Sequence, residues 1–125
     1  MRKITVLLFL TALVSTSALA SVSLSEKDAL VKLYIATNGS QWKNKWDLNE
    51  PVSKWYGVKL SEDKVISLDL SNNNLVGELP AEIGSLIYLQ KLKLTRNSIS
   101  GVIPESIGNM KLLKIINRGN LKLDV

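Results

Sequence analysis

Few residues in this sequence could carry out chemistry. The chain has no histidine and no cysteine, which excludes histidine acid–base catalysis, cysteine nucleophiles and ordinary zinc sites. Its 11 acidic residues are spread along the chain, and no Gly-x-Ser-x-Gly, P-loop or dinucleotide motif is present. A glycosidase would need two carboxyl groups across a cleft, and the sequence shows no such pair. We therefore expect a protein that is not an enzyme and that uses no cofactor and no metal.

The charge of the chain does not favour nucleic acid as a partner. The net charge is +5, but the lysines are scattered and are not interleaved with aromatic residues. With no cysteine, the domain must be held by packing alone, without disulfides.

Residues 1–20 have the features of a secretory signal peptide. Arg2 and Lys3 precede an apolar run from Ile4 to Val14, and Ala18-Leu19-Ala20 fits the small-x-small rule for cleavage before Ser21. The alternative is an uncleaved anchor, but the run is too short for an ordinary membrane span. Cleavage leaves 105 residues and lowers the net charge to +3, because the leader holds two basic residues and no acid. We expect a secreted or cell-surface protein, extracellular or periplasmic, with no membrane span after cleavage.

The next 44 residues, 21–64, are expected to form a helical and aromatic N-terminal cap. Ser25 and Asp28 have the spacing of a capping box at a helix start, and Asn38-Gly39 is suited to end the helix. The apolar face of this helix is predicted to contain Ala29, Leu30, Leu33, Tyr34 and Thr37. Val31 and Ile35 are expected to widen that face. A strand is predicted over residues 55–60 and a polar turn over residues 61–64.

An aromatic-rich loop follows the helix. It contains Trp42, Trp46, Trp55 and Tyr56 within 15 residues. Four large rings could form an exposed platform for sugars. We favour the alternative, that they cover one open end of a repeat array, because terminal units of such arrays need a special covering.

The main part of the chain is a repeat of 24 residues. Residues 65–88 and 89–112 are identical at seven aligned positions. These are Leu68/Leu92, Leu70/Leu94, Asn73/Asn97, Gly77/Gly101, Pro80/Pro104, Ile83/Ile107 and Gly84/Gly108. A fixed period of this size indicates a solenoid, in which each unit buries its apolar edge against the next.

Each repeat is predicted to begin with a short strand, over residues 67–71 and 91–95. The four leucines of these strands alternate with polar residues, so the leucines point inward and the polar side chains outward. Asn73 and Asn97 lie where the chain leaves the strand. We expect their amides to form a structural ladder that pairs backbone groups of the turn and the neighbouring repeat. Pro80 and Pro104 should begin the segment on the other side of each repeat.

The pattern L-x-x-L-x-L-x-x-N-x-L-x-G-x-I-P-x-x-I-G-x-L resembles the leucine-rich repeat family, in its plant-type subclass. The run ALVKLYIATNGSQW is similar to the N-terminal caps of bacterial secreted members. Trp55-Tyr56-Gly57-Val58 resembles the plant-type cap, although Ser53 and Leu60 stand where that cap has two cysteines. The resemblance implies an α/β fold: a short solenoid with parallel strands on its concave face and an α-helical N-terminal cap.

The resemblance also implies binding of a protein partner through the concave face. Its outward side chains are Ser67, Asp69, Ser71, Asn72, Lys91, Lys93, Thr95 and Arg96. Asp69 and Lys93 are expected to lie side by side. This surface is interpreted as a patch for an acidic protein or an anionic polysaccharide, with plain solvated strand positions as the alternative.

The repeat pattern fails after residue 112. A third repeat begins at Leu113 and Ile116, but Arg118 then takes the place of Leu70 and Leu94, and Leu121 takes that of the ladder asparagines. Shifting the register to use Asn120 puts Lys122 on a core position, so neither register is expected to work. Residues 113–125 are therefore an incomplete repeat. Three interpretations stay open: a minimal binding module, self-association through the open C-terminal end, or a remnant of a longer protein.

Overall fold

The N-cap of the first helix lies two residues before the predicted one. In the computed structural model, which describes residues 21–116 and 122–124, α1 spans Leu24–Ala36. Ser23 is the N-cap: its Oγ accepts the Glu26 backbone N–H at 3.2 Å and donates to the Glu26 carboxylate at 3.0 Å. The capping box is therefore Ser23–Glu26, and the predicted box of Ser25 and Asp28 is wrong. The predicted signal peptide, residues 1–20, lies outside the described residues.

The helix buries one face, as predicted, and ends on an asparagine. Ala29, Leu30, Leu33 and Thr37 are buried, whereas Ile35 is 65% exposed, so the prediction of a wider face is wrong there. Asn38 takes the left-handed conformation with φ of 61°, in place of the predicted Gly39. Gly39 is needed for another reason, because a Cβ there would collide with the Tyr34 ring.

The described residues contain seven short strands, which form two sheets. The first sheet has the order β1-β2-β4-β6, and the second has the order β3-β5-β7. The strands are β1 Val58–Ser61, β2 Lys64–Asp69, β3 Val76–Gly77, β4 Lys91–Lys93, β5 Ser98–Val102, β6 Lys114–Ile116 and β7 Lys122–Asp124. All pairs are parallel except β1 with β2.

The antiparallel pair β1–β2 is a hairpin that adds a strand before the first repeat. β1 begins three residues later than predicted, because residues 52–54 form a short 3₁₀ helix and Trp55 ends it. Glu62 and Asp63 make the predicted polar turn, with φ of 49° and 62°. Two consecutive positive φ angles are characteristic of the type I′ turn that suits the twist of a hairpin.

Two 3₁₀ segments that follow prolines connect the second sheet to the first, between β3 and β4 and between β5 and β6. They span Ala81–Ser85 after Pro80 and Glu105–Asn109 after Pro104, where the sequence predicted new segments to begin. Ile83, Leu86 and Met110 from these regions are buried in the same core as the strand leucines. The two segments pack against each other, and the first packs against α1.

The three tryptophans are packed inside the N-terminal region. Trp42, Trp46 and Trp55 are 2%, 4% and 3% exposed, so they cannot form an open sugar platform, and that alternative is wrong. Trp46 stacks on Trp55 with ring centroids 4.9 Å apart. Each indole N–H donates to a backbone carbonyl, at distances from 2.8 to 3.0 Å. The rings therefore fill the region between α1 and β2 as aromatic core.

The third repeat continues both ladders, which corrects the expectation that no register works. Leu92 pairs with Ile115, one residue earlier than the 24-residue period requires. β7 pairs with β5 at an offset of 22 residues, the offset that β5 has with β3. Parallel ladders are joined by main-chain groups, so they tolerate a changed side-chain pattern. Arg118, Asn120 and Leu121 lie outside the described residues.

Candidate functional site

The eight side chains predicted to face outward lie on β2 and β4 and on the residues that directly follow these two strands. Ser67 pairs with Lys91 and Asp69 with Lys93. The ladder of backbone hydrogen bonds continues beyond these pairs. The Leu70 N–H donates to the Lys93 carbonyl at 2.9 Å, and the Asn72 N–H donates to the Thr95 carbonyl at 2.8 Å. We call this surface the strand face. Its members are Ser67, Asp69, Ser71, Asn72, Lys91, Lys93, Thr95 and Arg96.

The alternation of the strands separates the strand face from the core. All eight members are exposed or half-buried, whereas the four leucines between them are fully buried. Asn72 and Arg96 both take left-handed backbone conformations, with φ of 52° and 59°. The two repeats therefore turn off the strand in the same way and present their last side chains at equivalent places.

Asn97 fixes the end of β4 to the repeat before it. Its Oδ1 accepts the backbone N–H groups of Asn73 and Leu75 at 3.1 and 2.9 Å. Its Nδ2 donates to the carbonyls of Leu70 and Leu94 at 2.7 and 3.1 Å, and more weakly to Thr95 at 3.3 Å. The amide thus pairs buried backbone groups from both repeats, which would otherwise be left without partners.

Asn73 occupies the same position one repeat earlier but has different partners. Its Oδ1 accepts from the backbone N–H and the side-chain amide of Asn44, at 2.7 and 3.2 Å. Its Nδ2 donates to the Asn44 carbonyl at 3.3 Å. The first asparagine therefore attaches the repeats to the aromatic loop.

Asp69 is the acidic member of the strand face. Its Oδ1 accepts the Ser71 hydroxyl at 2.8 Å and the Ser71 backbone N–H at 3.1 Å. Partial burial raises the pKa of the Asp69 carboxyl, but the Ser71 hydrogen bonds and the charges of Lys93 and Lys91 outweigh it, so the pKa lies below its ordinary value. Asp69 is next to Lys93 as expected, but they form no salt bridge. Among the side chains that the structure describes, an ion pair joins Lys32 and Asp28 on α1.

Two lysines of this surface were missed by the sequence analysis. Lys59 on β1 pairs with Ser67, and Lys114 on β6 pairs with Lys91. Directly paired residues point to the same side of a sheet, so both lysines extend the row that Ser67 and Lys91 form. Neither could be assigned from the 24-residue period, because β1 precedes the repeats and β6 is shifted by one residue. The signal that could have found Lys59 is the hairpin turn at residues 62–63.

An open groove of about 470 Å³ lies along this row. Its lining comes from all four strands and the turn before β6: Lys59, Ile66, Ser67, Gln90, Lys91, Leu112 and Lys114. Ser67 is the small residue between two lysines, and Leu112 is 59% exposed. The groove thus combines positive charge with an apolar edge.

A family model, Leucine Rich Repeat, matches residues 64–86 and 88–110, which contain β2 and β4. Residues 64–86 and 88–110 are therefore two leucine-rich repeats, and the chain is similar to plant-type members. A probable leucine-rich repeat receptor-like protein kinase from Arabidopsis thaliana is 36% identical over 81 residues. The match covers 53% of this chain, and this chain spans 9% of the length of that kinase.

Solved leucine-rich repeat structures have the same fold as this protein. The BIR2 ectodomain from Arabidopsis thaliana is 25% identical with a TM-score of 0.66, covering 83% of this chain and 58% of that one. A leucine-rich repeat protein from Bacteroides eggerthii is 28% identical to this chain, with a TM-score of 0.53. The match covers 59% of this chain and 13% of that one. In the described part of the chain, no helix has the length and hydropathy to cross a membrane.

Proposed function

We propose that this leucine-rich repeat protein is an exported, non-enzymatic binding module that recognises another protein through the strand face. The observation that carries the proposal is the arrangement of the eight side chains. They are arranged in regular rows on parallel paired strands. The leucines that alternate with them are buried in the core, which also contains the three tryptophans. Binding surfaces need side chains held by a rigid support, and the ladder of main-chain bonds provides one.

The similarity to ectodomains supports the export and the class of partner. BIR2 is described as an ectodomain, and the Arabidopsis kinase as receptor-like, which suits a protein that works outside the cell. On this proposal the two repeats form a short solenoid, the strand face is its concave side, and residues 21–64 are its cap.

The charge of the strand face is the property to test. Lys91, Lys93 and Arg96 give it three positive charges against the single carboxylate of Asp69. Reversing all three to Glu should abolish retention of the partner, because like charges across an interface cost several kcal/mol. The matched control reverses Lys43, Lys45 and Lys54, which are mostly exposed lysines of the cap region and outside the strand face.

The experiment is affinity capture from extracellular fluid, with quantitative mass spectrometry of the proteins retained. We expect a protein that is held by the native chain and by the cap-region control, and that is lost from the Lys91→Glu/Lys93→Glu/Arg96→Glu variant. Equal retention by all three proteins would reject the strand face as the binding surface. Circular dichroism of each variant checks that the fold is retained.

A further inference from the structure

The row of lysines across the first sheet extends beyond the strand face. In chain order it contains Lys59 on β1, Ser67 on β2, Lys91 on β4 and Lys114 on β6. The three lysines are exposed, and Ser67 is half-buried between two of them. Among the described residues that line the groove on this row, none is acidic.

A lysine row of this kind is unfavourable for the isolated protein. Lys91 and Lys114 are directly paired on neighbouring strands, where like charges repel. No salt bridge within the described residues involves any of the three lysines, since the pair recorded there is Lys32 with Asp28. An anionic ligand would relieve this repulsion, so the row has an electrostatic reason to bind one.

We infer that the row Lys59–Ser67–Lys91–Lys114 binds an extended acidic segment of the partner protein, crossing the four strands along the groove. This inference rests on the proposed function and adds the chemical class of the partner. An acidic peptide fits better than a uniformly charged chain, because Leu112 and Ile66 offer apolar contacts beside the lysines.

The spacing of the strands sets the length of the segment. Neighbouring strands are about 4.8 Å apart, so the row from β1 to β6 is roughly 14 Å long. An extended peptide rises about 3.3 Å per residue, and about five residues would span the row. Carboxylates four residues apart would then reach Lys59 and Lys114, and one between them would reach Lys91.

The test uses fluorescence anisotropy with a labelled ten-residue peptide of alternating Glu and Ser. A peptide with Gln in place of each Glu serves as the uncharged control, and an oligogalacturonate of matched charge represents an anionic polysaccharide. We expect the Glu peptide to bind and the Gln peptide not to bind. The affinity should fall as salt is raised from 20 to 500 mM (roughly, a Debye length from above 20 Å to about 4 Å), because exposed charges are screened.

Two double variants decide whether the row itself is used. Lys59→Gln/Lys114→Gln should weaken binding of the Glu peptide by about fivefold, since each exposed ion pair contributes roughly a twofold factor to the affinity. Lys43→Gln/Lys45→Gln should change it by less than about twofold. The same loss in both variants would overturn the inference, because it would show a general charge effect.

The remaining outcomes separate this inference from the proposed function. If only Lys91→Glu/Lys93→Glu/Arg96→Glu abolishes peptide binding and Lys59→Gln/Lys114→Gln has no effect, the row is overturned and the strand face stands. If the native chain captures a protein partner but does not bind the Glu peptide, the inference that the partner's segment is acidic is overturned. Tighter binding of the oligogalacturonate than of the Glu peptide would overturn it in favour of a polysaccharide.

Discussion

Asn97 carries an unusual share of the backbone pairing between the two repeats. It is 2% exposed, and its amide bonds to backbone groups of Asn73, Leu75, Leu70, Leu94 and Thr95. Asn73 is also buried, but the hydrogen bonds of its side-chain amide within the described residues are with Asn44, in a partly buried setting. The two asparagines occupy equivalent positions, but removing the Asn97 side chain would leave several buried backbone groups unpaired, whereas removing that of Asn73 would leave only groups of Asn44 unpaired.

Replacing Asn97 by Ala should lower the free energy of unfolding by about 3 kcal/mol, because several buried backbone groups lose their partners. Asn73→Ala is the matched control and should lose about 1 kcal/mol, since the Asn44 groups that it bonds are partly open to water. Guanidinium unfolding monitored by tryptophan fluorescence measures both values. Equal losses in the two variants would contradict the role given to Asn97.

The sequence was sufficient to place Asn97 but not the two missed lysines. A fixed position in each repeat, where the chain leaves the strand, is enough to predict an amide that bonds the backbone. Membership of a surface row is different, because it depends on which strands become neighbours. Lys59 lies in the row because β1 and β2 form a hairpin, and Lys114 lies in it because β6 pairs with β4 one residue earlier than the 24-residue period. Neither pairing can be predicted from the repeat pattern.

At the scale of elements, Glu26 joins the helix to the first sheet. Its Oε1 accepts from the Ser23 hydroxyl, and its Oε2 accepts the Val65 backbone N–H at 2.9 Å. The carboxylate is 4% exposed, and Val65 is fully buried in β2. The Glu26 carboxylate therefore bonds the N-cap serine of α1 and pairs a buried N–H of β2.

Glu26→Ala should lower the free energy of unfolding by about 2 kcal/mol, because it leaves the buried Val65 N–H without its acceptor and removes the carboxylate that accepts the Ser23 hydroxyl. Asp28→Ala is the control from the same helix turn. Asp28 is exposed and meets only Lys32 at 3.8 Å, so its loss should be below about 0.5 kcal/mol. Thermal unfolding followed by circular dichroism checks both, and a larger loss for Asp28→Ala would refute this assignment.

The helix boundary shows why local sequence was insufficient here. Ser23-Leu24-Ser25-Glu26 and Ser25-Glu26-Lys27-Asp28 both have the spacing of a capping box, and they overlap. The bond from Val65, 39 residues away, selects Glu26 as the box acid. Boundaries of elements are often decided by such tertiary contacts. The leucine pattern predicted both strands, but not their bounds, since β2 spans Lys64–Asp69 instead of residues 67–71 and β4 spans Lys91–Lys93 instead of residues 91–95.

At the scale of the whole molecule, the protein combines a buried aromatic cluster near its N-terminal helix with a ladder that presents polar side chains on one side. The core leucines alternate with the strand face, and the proline-started segments lie beyond the core. The strand order and the parallel pairing follow from the repeat. The continuation of the ladders through β6 and β7 does not, because it uses main-chain pairing where the side-chain pattern changes.

The most direct measurement is photo-cross-linking of the captured partner from the two sides of the molecule. A benzophenone side chain is placed either at Thr95 on the strand face or at Glu82, which is exposed beyond the core on the segment after Pro80. We expect a covalent adduct with the partner from Thr95 and none from Glu82. An adduct from Glu82 alone, or equal yields from both positions, would contradict recognition through the strand face.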